Sequence, residues 1–220
     1  MKSDNLQLQP RKMPVQSRSA ATVDAILEAT LQVLMAEGLE RCTTTRVAER
    51  AGVSVGTLYQ YFPHKQSLLN SLLTRHLHDV SQAVIACCRE QHGTALQPMV
   101  RALIGTYIGA KLARPEASRA LYMIAMAHGG EEILQQVQGK MCRAVSALLA
   151  SAADASFAQP DTVAVILVSA LAGALCHAVG SDPSATTLEA MHQHLNTLGY
   201  GYVRAYAVGG NYDAAISSPL

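Results

Sequence analysis

The 220 residues carry 17 Lys/Arg against 16 Asp/Glu, and they are 50% hydrophobic but only 5% aromatic, with no Trp and two Phe. A chain of this length forms one or two compact domains. Its interior must be built from Ala, Leu, Val, Ile and Met, a mix that favours helices over sheets. The five cysteines (Cys42, Cys87, Cys88, Cys142, Cys176) are odd in number and lack paired metal-ligand spacing, which argues against a disulfide framework or a structural zinc site. The near-neutral charge is unevenly spread. Residues 1–75 carry nine Lys/Arg against six Asp/Glu, and residues 76–220 carry eight against ten. A basic N-terminal third is compatible with phosphate contacts without demanding them. The start has basic residues but no apolar run behind them, so a secretory signal is not expected and the cytoplasm is the expected location.

In chain order, residues 1–20 are polar, hold two prolines and read as a flexible basic arm with Arg11, Lys12 and Arg18. From Val23 the apolar residues Ile26, Leu27, Leu31 and Leu34 recur at helical spacing, and Gly38 closes the segment. One of Thr43, Thr44 and Thr45 is placed to cap the short stretch RVAERA, which Gly52 ends. Ser54 can cap the next stretch, VGTLYQYF, which Pro63 interrupts. Two short helices joined by a glycine-containing turn predict a helix-turn-helix at about 43–62. A longer helix follows from Lys65, with Leu68, Leu69, Leu72, Leu73, Leu77 and Val80 as its stripe. Further helices are predicted at about 97–112, 116–127, 131–153, 161–179 and 185–207, and the tail 209–220 is expected to be disordered. No run alternates long enough to build a sheet.

The string TTTRVAERAGVSVGTLYQYFPHK, residues 43–65, resembles the DNA-binding domain of the TetR family. Thr44, the Ala-Gly-Val-Ser turn of Ala51 to Ser54, Gly-Thr-Leu-Tyr at Gly56 to Tyr59, the pair Tyr61-Phe62 and Lys65 all match the family pattern. His64 departs from it, standing where a Ser, Asn or Asp cap is usual for the fourth helix. The resemblance covers about residues 20–75. It implies an all-α fold in which a three-helix DNA-binding domain, 21–68, precedes a helical effector-binding and dimerisation domain, 69–208.

The residue types suit groove binding. Gly56 would allow close backbone approach, Val55 can touch a thymine methyl, and the Gln60 amide can pair bidentately with adenine. Thr44, Ser54, Thr57, Tyr59, Tyr61 and Lys65 supply hydroxyls and one charge for phosphate oxygens. Leu58 and Phe62 are expected to face the core.

The segment 163–179, VAVILVSALAGALCHAV, is apolar almost all round but short for a span and flanked by prolines, so no membrane role is expected. Its Ala170, Gly173 and Ala174 would let helices approach closely. On the last helix Leu188, Met191, Leu195, Leu198 and Tyr202 follow intervals of three and four, a seam that needs a partner helix. The family resemblance implies a homodimer through these two helices. Two-fold symmetry would then set the recognition helices on a palindromic double-stranded operator, with half-sites about 34 to 36 Å apart.

In the family, the region 97–153 surrounds an effector pocket. An apolar small molecule is the expected ligand, with Tyr107, Tyr122, Met126 and His177 as expected contacts. His76 with His78 and His192 with His194 are two apart and point to different helix faces, so no metal is expected. No nucleophile elbow, phosphate loop or paired-carboxylate motif occurs, so neither enzyme activity nor a cofactor is expected. The competing reading is a protein-interaction module with a relic DNA-binding motif.

Overall fold

The computed structural model describes residues 17–127, 130–180 and 185–208. Among them the chain is a succession of nine helices: α1 (Ser17–Arg41), α2 (Thr44–Ala51), α3 (Val55–Tyr61), α4 (Lys65–Glu90), α5 (Leu96–Leu112), α6 (Pro115–Ala127), α7 (Glu131–Ala150), α8 (Pro160–Gly180) and α9 (Ala185–Ala205). A two-residue antiparallel pair, β1 (Ser156–Phe157) with β2 (Ala207–Val208), is the one departure from helix. The all-α reading holds.

The boundaries follow local chemistry. Gly38 adopts φ 78, inside the left-handed region, and α1 resumes for a last turn to Arg41, so the glycine kinks the helix where it was expected to end it. Ser17 to Ala20, assigned to the arm from sequence, are already helical; the rest of that arm and the tail 209–220 lie outside the described residues. Asp154 Oδ1 accepts the Leu96 N–H at 2.7 Å, a side-chain cap for α5 supplied from a distant loop.

The chain divides into two compact units, 1–78 with 114–135, and 79–113 with 136–220. A boundary at 68/69 therefore falls inside the first unit, within α4. In the first unit Ile26 and Leu34 of α1, Val47 and Ala48 of α2, Leu58 of α3 and Leu68, Leu69 and Leu72 of α4 are all buried. Arg75 lies 3.5 Å from Asp24, and Arg114 lies 3.2 Å from Glu28, clamping the outer side of α1.

In the second unit α9 packs on α5 and α8. Gly199 permits this: a Cβ there would collide with Ile104 Cδ1 and sit 3.2 Å from Leu167 Cδ1. Ser146 Oγ donates to Asp161 Oδ1 at 2.5 Å, joining α7 to the start of α8. Within α1 and α8, the segments Ser19–Arg41 and Pro160–Ala178 are long and apolar enough to cross a membrane by length and composition.

Candidate nucleic-acid interface

The helix-turn-helix is built by two caps and one glycine. Thr43 is the cap of α2, its hydroxyl accepting from Arg46 N–H, and Gly52 ends α2 with φ 67, a left-handed conformation that lets the chain turn back at once. Ser54 caps α3, accepting the Thr57 N–H at 3.0 Å and lying 2.8 Å from the Thr57 hydroxyl. With only seven residues α3 could not stand alone. Leu58 and the following Phe62 anchor it, exposed to 0% and 1%.

That anchoring fixes what α3 presents outward. Ser54, Gly56, Tyr59 and Gln60 are exposed, and Val55, Thr57 and Tyr61 are half-buried. Thr44 Oγ1 lies 3.1 Å from Tyr59 Oη, so the first residue of α2 and the outer face of α3 share a hydrogen bond across the motif. None of the residues assigned to DNA from sequence is buried, and those assigned to the core, Leu58 and Phe62, are.

Gly56 is informative because nothing among the described residues requires it. Its backbone is not left-handed, and a Cβ there would meet only Ser54 Oγ, at an ordinary 3.7 Å.

Two basic residues of α2 hold the motif to α1: Arg46 pairs with Glu37, and Arg50 Nε donates to Gln32 Oε1 at 2.8 Å. Lys65 is similarly engaged. Its Nζ donates to the Leu39 carbonyl at 2.7 Å, placing a cation at the C-terminal end of α1, where the helix dipole favours it. One of its three N–H donors is thus taken. Burial pushes the nearby Cys42 thiol up, while the Lys65 charge pulls it back.

His64 resolves its departure from the family pattern. Its Nδ1 accepts the Ser67 N–H at 3.1 Å and its carbonyl accepts from Ser67 Oγ at 2.7 Å, so an imidazole takes the capping role usually given to Ser, Asn or Asp.

Of the effector residues expected from sequence, two have described side chains. Tyr107 is buried in α5, His177 is exposed on α8, and the side chains of Tyr122 and Met126 lie outside the described ones. The structure instead sets Tyr107 and Lys111, one turn apart on α5, beside Cys176 of α8. Burial pushes the Tyr107 hydroxyl well up, and the Cys176 thiol adds to this. Burial lowers the Lys111 ammonium, with Cys176 opposing. The i, i+4 spacing of Tyr107 and Lys111 was visible in the sequence; the identity of the residue facing them was not. Among the described residues no group of three His, Cys, Asp or Glu could hold a metal.

The residues assigned to a partner helix also sort by exposure. Ala170 and Gly173 are exposed, Ala174, Met191 and Tyr202 half-buried, and Leu198 is 52% exposed. Leu195 is buried within its own protomer and has little surface to offer a partner, and the Leu188 side chain lies outside the described ones. Val165 and Ile166, which the sequence reading passed over, stand out from α8 at 47% and 46% exposure. Tyr202 packs against Tyr206 with ring centroids 5.2 Å apart.

Residues 26–72 match the model of the bacterial regulatory proteins of the tetR family, and residues 95–202 match that of the tetracyclin repressor-like C-terminal domain. The chain belongs to the TetR family of DNA-binding transcriptional regulators. It is 33% identical over 113 residues to the nucleoid occlusion factor SlmA of Haemophilus ducreyi, which covers 51% of this chain and 55% of that protein. It is 54% identical over 50 residues to the HTH-type transcriptional repressor KstR of Mycolicibacterium smegmatis, 23% of this chain and 24% of that protein. The chain thus spans about half the length of the first of these relatives and about a quarter of the second. The fold is similar to that of the fatty acid degradation regulator FadR of Bacillus halodurans, with TM-score 0.62 and 19% identity over 81% of this chain and 97% of the other. A TetR-like transcriptional regulator from a Rhodococcus species gives TM-score 0.61 and 18% identity over 86% and 97%.

Proposed function

We propose that this chain is a sequence-specific repressor that binds a palindromic operator as a homodimer in the cytoplasm and leaves it when a small apolar effector binds. The observation that carries the DNA reading is the outer face of α3, where Gly56 gives up a side chain the protein could accommodate and Gln60 stands exposed beside it. Helices prefer alanine to glycine, by up to about 1 kcal/mol in an interior and by less in the first turn, where Gly56 stands. A glycine kept there without internal need fits a surface that something must approach closely, as a major groove does.

In this reading Val55 and Gln60 meet base edges, while Thr44, Ser54, Thr57, Tyr59, Tyr61 and the free donors of Lys65 hold phosphates. Dimerisation uses the exposed side of α8, Val165, Ile166, Ala170 and Gly173, together with Leu198 of α9. In the same reading the effector would lie in the second unit beside Tyr107, where the neighbouring Lys111 and Cys176 supply polar groups. To act, the effector must bind the DNA-incompetent state more tightly than the competent one, since equal affinity would shift nothing.

The test is selection of bound sequences from random duplex DNA by the full chain at near-physiological salt. Enrichment of a palindrome is expected; enrichment of no sequence by folded protein would refute the reading. The likeness to a protein named for nucleoid occlusion favours one second reading, in which operator-like sites serve the chromosome and not a promoter. Mapping of bound sites across a genome separates the two: the repressor reading expects sites at promoters, the second expects sites dispersed without regard to them.

A further inference from the structure

His64 stands in the stretch that joins α3 to α4, two residues beyond the buried Phe62 and one before Lys65. The turn it caps holds its ring in place. Nδ1 accepts the Ser67 N–H at 3.1 Å, the His64 N–H donates to Ser67 Oγ at 3.4 Å, and Ser67 Oγ donates to the His64 carbonyl at 2.7 Å.

A Ser or Asp in this place would end at the oxygen that caps the helix. An imidazole reaches further and keeps a second nitrogen. Because Nδ1 acts as an acceptor, the neutral ring carries its proton on Nε2, on the side away from the capped turn. That N–H has no hydrogen-bond partner among the described residues, and His64 is only half-buried.

The surroundings suit an anion. Tyr61 and Lys65, both assigned to phosphates, flank His64 in the chain, and Lys65 keeps donors beyond the one given to the Leu39 carbonyl. Between Glu49 and Asp79 the sequence has no Asp or Glu, so α3 and the first half of α4 set no carboxylate of their own beside the ring. A donor already fixed by its cap loses little freedom on binding, and one that meets a charged oxygen makes the stronger kind of hydrogen bond. We propose that His64 is a DNA contact in its own right: Nδ1 holds the first turn of α4 while Nε2–H donates to a backbone phosphate oxygen beside those met by Tyr61 and Lys65. The contact reads no sequence, since every duplex offers it. It rests on DNA binding through α3, and not on an effector, a promoter or a palindrome.

Fluorescence anisotropy of the full chain at fixed salt, on a duplex carrying the selected palindrome and on a scrambled duplex of equal length, tests this beside thermal melts. His64→Ser keeps an oxygen to cap α4 but ends short of the place of Nε2, and His64→Ala removes both roles. Serine is expected to hold Tm near that of the unaltered chain, and alanine to lower it. Both variants are expected to bind both duplexes about tenfold more weakly, the loss of one hydrogen bond to a charged oxygen. The slope of affinity against salt should stay as it is, because a neutral donor releases no counterion. The proposal is overturned if His64→Ser binds as tightly as the unaltered chain, which would leave His64 a cap and nothing more. It is also overturned if affinity follows Tm through the three chains, or if the loss falls on the palindrome alone, as that of a base contact would. An unaltered chain that binds neither duplex overturns it together with the DNA reading. Binding without a preferred sequence removes the repressor reading alone, and the His64 contact is then read on the scrambled duplex.

Discussion

At position 56 a methyl group would meet only a 3.7 Å contact, so alanine should be the better residue for the protein alone. Gly56→Ala is expected to raise Tm, by a stabilisation well under about 1 kcal/mol because position 56 lies in the first turn of α3, while weakening operator binding. Thermal melts with fluorescence anisotropy at fixed salt check both halves, and unchanged DNA affinity would remove the argument for close approach. Gln60→Ala is expected to relax selectivity at one base pair, by about 1 to 3 kcal/mol, and not to weaken all sequences equally. Binding measured on operators varied one base pair at a time separates these outcomes. Lys111 allows a test by pH. Burial lowers its ammonium from the ordinary 10.5, so the charged form destabilises the folded state. That cost is present in full below the folded pKa and disappears as pH rises through it to 10.5. Relative to Lys111→Met, the unaltered chain should therefore gain stability as pH is raised toward 10.5, and urea melts at pH 7 and pH 10 read the difference. Gain by the variant over the same range would show that Lys111 is not desolvated.

The helices were legible because each carries its own punctuation. Pro63, Pro98, Pro115 and Pro160 stand at or near helix starts, and Gly52 closes α2. The misreadings occurred where a distant partner or a special backbone decides the matter. Gly38 kinks α1 because the chain can resume helix beyond a left-handed residue. His64 caps α4 through a ring nitrogen, a role that propensity does not assign to histidine. The pairing of β1 with β2 joins residues more than fifty positions apart and is too short to leave an alternating pattern. The seam on α9 was half legible. Its spacing marked an apolar side but could not divide it between the protomer's own core, which takes Leu195, and the outside, which takes Leu198. Which residues of α3 turn outward was legible because a seven-residue helix anchored by Leu58 leaves few orientations. The packing of α9 depends on a residue that the sequence did not single out. Gly199→Ala would push a methyl into Ile104 and Leu167, and it is expected to cost about 1 to 3 kcal/mol despite alanine's better helix propensity. A Tm equal to or above that of the unaltered chain would mean that α9 shifts to accept it.

For the molecule as a whole, the dimer reading is the one with most surface at stake. Val165 and Ile166 lie side by side on α8, each nearly half exposed. Ile166→Glu would set a charge in the proposed contact without disturbing the protomer's core, so sedimentation should show monomers, and operator binding should fall as two half-sites are no longer bridged. A variant that remains dimeric would move the interface elsewhere. The same helix bears Cys176, the only cysteine of the five that is not buried. The folded chain therefore carries a single natural attachment point, and a maleimide dye should react there once per protomer while the other four thiols wait for unfolding. Burial holds this thiol up and Lys111 draws it back. Its labelling rate should follow any event that covers α8 or moves α5, which turns an unmodified residue into a clock for assembly.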